Sequence, residues 1–391
     1  MLSSTLKILQ MVQTLDPSGG GVARAVLLLS QGLAKRGHKI DVVVLDDPAA
    51  PWLPEVDLTV HALGAGLTSY RYSSKLLPWL KKHAGNYDRV IVNGIWQYMS
   101  FAAWRCYAGS TIPYFVFPHG MLDPWFKETF PLKHLKKWLY WPWADYRVLS
   151  DAAAVIFTSE EERLLARKSF WLYQVRERIS PLGVEAPTTI PSPAREILFE
   201  SYPQLRNSRI LLFLGRLHPK KGCDILIDAF AQVADREPSI SLMLAGPDQI
   251  GWKMELQQQV ERLNLTSRIL FAGMLQGAMK DAALAAADAF VLPSHQENFG
   301  IAVVEALAFC KPVLISNRIN IWREIVEDEA GFAEKDDLDG TARLLQRWME
   351  TSPTRRAEMA ANARKSFARR FEINQAVDSL LEVLETDRRA A

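Results

Sequence analysis

A chain of 391 residues, 49% hydrophobic and 23% charged, is long enough for two cores and too long for one ordinary domain. A formal charge of +2 excludes nucleic acid as the main partner, because no dense basic tract runs along the chain. Cys106, Cys223 and Cys310 lie far apart in apolar or helical settings, so they read as reduced, buried cysteines and not as a disulfide frame or zinc site. The opening MLSSTLKILQMVQTL is interrupted by Lys7, Gln10 and Gln13 and has no small-residue cleavage site; it predicts a first strand over Lys7–Gln13, not a signal peptide. A helix follows over Gly21–Arg36, then strands over Lys39–Leu45, Arg89–Val92, Tyr114–Phe117, Ala153–Phe157 and Arg178–Pro181, with helix-like segments between most of them. Prolines 181, 187, 191 and 193 mark an interdomain linker.

Beyond the linker a second series is predicted. Its strands are Ile210–Leu214, Ser241–Ala245, Ile269–Phe271, Ala289–Leu292 and Pro312–Ile315, and its helices Cys223–Ala234, Gly251–Leu263 and Gly300–Phe309. Strands alternating with crossover helices mean parallel sheets covered on both faces. The expected fold is therefore α/β, two Rossmann-like doubly wound parallel-sheet domains facing across a cleft. The first comprises residues 1–183 plus a C-terminal helix, 372–391, that crosses back to it; the second comprises residues 184–371. No run approaches the roughly 20 apolar residues of a membrane span, and a soluble chain is expected.

Four motifs carry chemistry. Leu214-Gly-Arg-Leu-His-Pro-Lys-Lys-Gly222 follows a strand and precedes a helix. Arg216 offers a planar bidentate fork and Lys221, five positions on, a point charge. With helix N-terminal N–H groups they describe a diphosphate cradle, unless the loop is merely a basic surface turn. GxxxxGK[ST] is absent, so it is not a Walker loop. The stretch HQENFGIAVVEALAFCK places Glu297 after a strand and Glu305 inside the following helix, with seven residues between them. The pair either contacts two parts of one extended ligand or is a capped helix with a solvated glutamate. Asp16-Pro-Ser-Gly-Gly-Gly-Val-Ala-Arg24 ends the first strand with glycines that let backbone approach a ligand, though a plain turn would use them too. Pro118-His-Gly-Met-Leu-Asp-Pro-Trp125 puts His119 at a strand's C-terminal end, where it is either functional or a structural hydrogen-bonder.

Together these residues resemble a family-four retaining glycosyltransferase of the two-domain GT-B type, over nearly the full chain. The matching positions are Gly20-Gly21, His119, Arg216/Lys221-Gly222, and Pro293-Ser294 before Glu297 and Glu305. The wording around His119 is similar to the bacterial branch that builds exopolysaccharide and other envelope glycans. One departure is Pro181-Leu-Gly-Val, where many relatives have Asn before the Gly. The resemblance implies that Arg216 and Lys221 hold a nucleotide sugar's diphosphate and stabilise the leaving group. It implies that Glu305 holds the ribose and that Glu297 sits beside the anomeric carbon. Asn298, Phe299, Gly300 and Ile301 would contact sugar and phosphate through their backbone, Leu275 would meet the base, and His119 a hydroxyl of the transferred sugar. UDP-glucose is the default donor, although GDP shares the same phosphate grip. No cofactor is implied. No metal is expected either, since the one D-x-D string, Asp337-Leu-Asp339, reads as a helix cap.

On the acceptor side, Trp96 and Asp123 are candidates; Asp123 serves equally as a turn residue before Pro124. Trp125–Arg147 interleaves Trp125, Phe126, Trp138, Tyr140, Trp141 and Trp143 with Lys127, Lys133, His134, Lys136 and Lys137. That composition suits an anionic membrane surface and a glycan or polyprenyl-linked acceptor. A cytoplasmic protein, peripheral on the inner face of the plasma membrane, is the corresponding expectation. The competing reading is a helix pair with inward tryptophans and solvated lysines. A nucleotide-sugar epimerase of the same architecture would want its acid and base groups in another order. A non-catalytic nucleotide-sugar-binding scaffold is disfavoured by the intact Glu297, Arg216, Lys221 and His119. A nicotinamide dehydrogenase is disfavoured because Gly64-Ala-Gly66 lacks the third glycine.

Overall fold

The computed structural model describes residues 5–17, 21–188 and 193–386. Gly20, the middle of the proline-rich linker and the end of the last predicted helix lie outside the described residues. The chain divides into two compact units, Met1–Glu185 with Glu372–Ala391, and Ala186–Phe371.

In the first unit the described strands are β1 (Lys7–Val12), β2 (Lys39–Val44), β3 (Thr59–Ala62), β4 (Arg89–Asn93), β5 (Tyr114–Phe117), β6 (Ala154–Phe157) and β7 (Glu177–Ile179). They form one parallel sheet in the order β3-β2-β1-β4-β5-β6-β7. In the second unit β8 (Arg209–Leu214), β9 (Ile240–Ala245), β10 (Ile269–Gly273), β11 (Ala289–Leu292), β12 (Val313–Ser316) and β13 (Gly331–Glu334) pair in the order β10-β9-β8-β11-β12-β13, again all parallel. Every residue of β4, β5, β6, β9, β11 and β12 is buried. Helices on both faces leave those strands no wet side, which is why they read as mainly apolar runs, broken only by Arg89, Asn93, Ser241 and Ser316.

Two strands escape the sequence signal. β3 is TVHA and β13 is GFAE, each at a sheet edge and only partly buried. Short, mixed edge strands present little apolar pattern. Helix starts also move: the helix expected from Gly300 begins at Ile301, with Gly300 as its left-handed N-cap, and the one expected from Gly251 begins at Lys253.

The closing helix Ile373–Thr386 belongs to the first unit. It buries Ile373, Ala376, Val377, Leu380, Val383 and Leu384, the spacing of one helix face. That face lies against the helix Gly21–Lys35, which is why the latter buries Val26, Leu28, Leu29 and Leu33 toward more than one neighbour. Polar contacts fix the register: Arg36 donates to Asn374 O at 2.9 Å and Asp378 Oδ1 at 2.9 Å, and Arg89 Nε donates to Leu384 O at 2.9 Å.

In both sheets strand order reverses beside the first strand, between β1 and β4 and between β8 and β11. The carboxyl ends of strands at such a reversal open a crevice where ligands of this architecture bind. Most of the candidate residues sit at these two places, with His119 one strand further on, after β5, and Leu275 after β10.

Candidate active site

In the second unit the loop after β8 is held by its neighbours. Gly215 N donates to Ala245 O at 3.0 Å and Gly246 N to Gly273 O at 2.7 Å, tying the ends of β8, β9 and β10 together. A Cβ on Gly246 would lie 1.8 Å from Gly215 O, so only glycine lets these two strand ends close. Arg216 emerges there, exposed, with Nη1 donating to Gln249 Oε1 at 3.2 Å. The chain then makes a 3-10 turn over Pro219–Lys221. His218 caps it by accepting Lys220 N at 3.1 Å, and Gly222 ends it at φ 70°. Lys221 thus lies in the turn, not on the helix, which begins at Cys223. Lys220 O accepts His295 N and Ser294 Oγ, each at 2.9 Å, so the cationic turn is clamped to the segment after β11.

On that segment Glu297 is pinned through its backbone. Its N–H donates to Arg318 O and its carbonyl accepts Asn320 N, each at 3.0 Å. Its carboxylate meets the Lys221 ammonium directly. Glu305, in the helix Ile301–Ala308, accepts from Lys280 Nζ at 2.9 Å. Behind them His295 Nδ1 bonds Asp336 Oδ2 at 2.8 Å, which raises the imidazole's pKa, and Arg318 Nε donates to the same carboxylate at 3.3 Å. His218 moves the other way: burial first, then Arg216, Lys220 and Lys221, hold its pKa below the ordinary value. A histidine suppressed by three cations marks a locus that favours an anion.

In the first unit, His119 lies two residues past β5 at φ 50°, a left-handed conformation that costs of order 1–3 kcal/mol for a non-glycine residue. Its ring stacks on Phe117, and Nε2 lies 3.0 Å from Asn93 Oδ1. The Asn93 amide nitrogen donates to Gln10 Oε1 at 2.9 Å and Met11 O at 3.2 Å, so its oxygen faces the imidazole. Nε2–H is therefore the donor, and Nδ1 keeps the lone pair. Burial pushes this imidazole down to about 4, so it is neutral at pH 7. Next to it Trp96, at φ 69°, donates its N–H to Asp145 Oδ1 at 2.8 Å and its indole N–H to Met121 O at 3.1 Å.

Models of known families match the chain in two parts: a glycosyl transferase 4-like domain over residues 20–183 and glycosyl transferases group 1 over residues 194–366. The chain belongs to the family-four glycosyltransferases of GT-B type. Mannosylfructose-phosphate synthase of Agrobacterium fabrum is 26% identical over 339 residues, 78% of this chain and 73% of that protein. Phosphatidyl-myo-inositol mannosyltransferase of Mycolicibacterium smegmatis is 29% identical over 209 residues, 53% of this chain and 51% of that protein. Among solved structures, Anabaena HepE in complex with UDP superposes with a TM-score of 0.79 at 22% identity, covering 97% of this chain and all of that one.

Within this glycosyltransferase, Arg216, Lys221, Glu297, Asn298, Gly300, Ile301 and Glu305 share the carboxyl end of the second sheet at β8 and β11. Phe299 instead turns inward, buried and edge-on to Phe371, so only its backbone can serve a ligand. Leu275 sits half-buried on the loop after β10, next to the exposed Met274. In the first unit Gly21 opens the helix after β1, and His119 and Trp96 follow β5 and β4. Trp96 packs into an aromatic cluster with Trp141 and Phe170. Asp123 is buried and accepts Trp125 N at 2.9 Å, a turn contact. Asp337 caps the helix Leu338–Glu350 by accepting Gly340 N at 2.7 Å. Among the described residues no group of three His, Cys, Asp or Glu side chains is placed to hold a metal ion. None of their helices is long and apolar enough to cross a membrane. Lys280, Gln249 and Asp336 carry no sequence signature, because their partners are 25, 33 and 41 residues away.

Proposed function

We propose that this glycosyltransferase moves a hexose from a UDP-sugar, with retention, to a glycan or lipid-linked acceptor in envelope polysaccharide synthesis. The observation that carries the reading is the set Arg216, Lys221 and Glu297 at one strand-order reversal: two cations for a diphosphate and one carboxylate for the sugar. The UDP complex of the Anabaena structure supports the nucleotide. The name of the mycobacterial relative, a phosphatidyl-myo-inositol mannosyltransferase, supports a lipid-borne acceptor at a membrane surface.

In this reading the diphosphate draws Lys221 away from Glu297, and Arg216 closes on the other side. As the glycosidic bond breaks, charge grows on the leaving phosphate between the two cations, and Glu297 balances the oxocarbenium-like sugar. The acceptor hydroxyl enters from the same face, its proton passing to the departing phosphate. His119 accepts a hydroxyl of the transferred sugar through Nδ1, and Glu305 holds the ribose. The cations supply the leaving-group charge, so EDTA leaves turnover unchanged; loss of activity that a divalent ion restores would refute this step.

A donor screen by thermal shift tests the core. The true nucleotide sugar at 100 times its Kd stabilises the protein by about 2.7 kcal/mol. Arg216→Ala, at an exposed side chain, should retain the ligand-free melting temperature yet lose on the order of 10²-fold or more in turnover. Normal turnover would remove the assignment. Tight donor binding with no transfer would favour a scaffold, and an epimerised donor without acceptor would favour an epimerase.

A further inference from the structure

The helices that follow His119 leave an unusual surface. Trp141 is buried, but Leu132, Leu139 and Trp143 are 78%, 63% and 74% exposed, and Trp171, from another segment, is 63% exposed. Large apolar side chains left in water in numbers mark an interaction site. Trp171 lines a cavity of about 550 Å³ between the helix Pro131–Tyr140 and residues 168–171, within the size range of ligand pockets, and Leu135 and Trp138, 54% and 43% exposed, line it from the helix.

Its lining divides by chemistry. Leu135, Trp138 and Trp171 give an apolar wall, with the two indoles 6.2 Å apart. Lys127 and Lys168 give a cationic one beside the His134 imidazole, and no acidic residue lines it. Among the described residues neither lysine has a carboxylate partner, whereas the adjacent Arg167 is paired with Glu177. The His134 imidazole, stacked on Phe170, is held below its ordinary pKa by burial and then by Lys127 and Lys137. Uncompensated cations beside exposed hydrocarbon-binding rings match one ligand class, an amphiphile with a phosphate head and an apolar chain.

The same helix reaches the first unit's strand ends. Lys137 places its ammonium 4.3 Å from the centre of the Trp96 ring, and Trp96 stands three residues beyond Asn93, the partner of His119. The cavity helix therefore adjoins Trp96, the acceptor candidate of the sequence, which favours the acceptor's own lipid over bulk phospholipid. We infer that this cavity binds the phosphate and first hydrocarbon units of a polyprenyl-phosphate-linked acceptor, the phosphate against Lys127 and Lys168 and the chain over Leu135, Trp138 and Trp171. This rests on the lipid-linked reading of the acceptor and adds Lys168 and Trp171, which no motif singled out.

The experiment is co-sedimentation with phosphatidylcholine vesicles carrying a polyprenyl phosphate, the neutral polyprenol, or phosphatidylglycerol at matched surface charge. Free inorganic phosphate serves as competitor. The expected result is tightest binding to polyprenyl phosphate, about 30-fold weaker in K127A/K168A and weaker again in W171A, with little competition from phosphate. All three side chains are exposed, so folding is preserved. Donor thermal shift on the same samples verifies this and separates failure of the lipid site from failure of the nucleotide-sugar reading. Equal binding to phosphatidylglycerol vesicles would reduce the site to a general anionic surface and overturn the inference. So would binding untouched by both variants, displacement by phosphate alone, or no binding.

Discussion

Lys221 and Glu297 neutralise one another, each side chain mostly shielded from water. Such a pair keeps a cation and an anion next to each other without the cost of leaving either alone in a half-dry site. Glu297→Gln should therefore leave UDP affinity intact or improve it, because Lys221 is released, while turnover of the UDP-sugar falls on the order of 10²-fold. Isothermal titration with UDP against steady-state turnover separates the two; a parallel loss in both would place Glu297 on the nucleotide instead. His119 gives a pH signature. Its native pKa, about 4, lies below the ordinary 6.5, so the unfolded chain binds more protons between those values. Stability is complete above about pH 6.5 and is lost as pH falls toward 4. Asp145, raised to about 6 by burial, works in the opposite sense over its own window, losing stability as pH rises from 3.8 to 6. Denaturation of wild type and His119→Gln at pH 7 and pH 5 isolates the histidine: wild type should lose more on acidification.

The turn between β8 and the helix Cys223–Val233 is built around one left-handed residue. Gly222 stands at φ 70°, and a Cβ there would lie 2.4 Å from Pro293 O, the residue before Ser294. Gly222→Ala therefore combines backbone strain with a collision against the β11 loop, costing of order 1–3 kcal/mol. Because Lys221 precedes it and Glu297 follows the loop it strikes, donor affinity should fall together with melting temperature. A variant with normal donor affinity would show that the turn does not set the lysine. The arrangement also shows why Arg-x4-Lys-Gly reads clearly from sequence: three constraints, a strand end, a turn and a helix start, lie within nine residues. Lys280 against Glu305 lacks such compression. It arises because the helix Gly277–Ala286, which contains Lys280, is brought beside Ile301–Ala308, and nothing near Lys280 in sequence announces it.

At the scale of the molecule, the first unit is closed by a helix that comes last in the chain. Ile373, Val377, Leu380, Val383 and Leu384 are buried on it, each contributing about 1.5–3 kcal/mol. Gly32 makes room, since a Cβ there would lie 2.5 Å from Val377 Cγ2. Truncation after Phe371 should leave the first unit unfolded or aggregated, because the lost burial rivals the 5–15 kcal/mol of a typical domain. A truncated chain that still melts cooperatively in both units would contradict this. Alternating strand and helix periods, glycine-rich strand ends and charged motifs each act over a few residues, so the sequence by itself determined the α/β class, the parallel sheets and the identity of Arg216, Lys221, Glu297 and His119 as candidates. Contacts between distant segments have no local period. Only the tertiary structure decided that Lys221 lies against Glu297, that Asn93 orients His119, that TVHA and GFAE complete the sheets, and that some tryptophans of 125–147 pack inward while others face water.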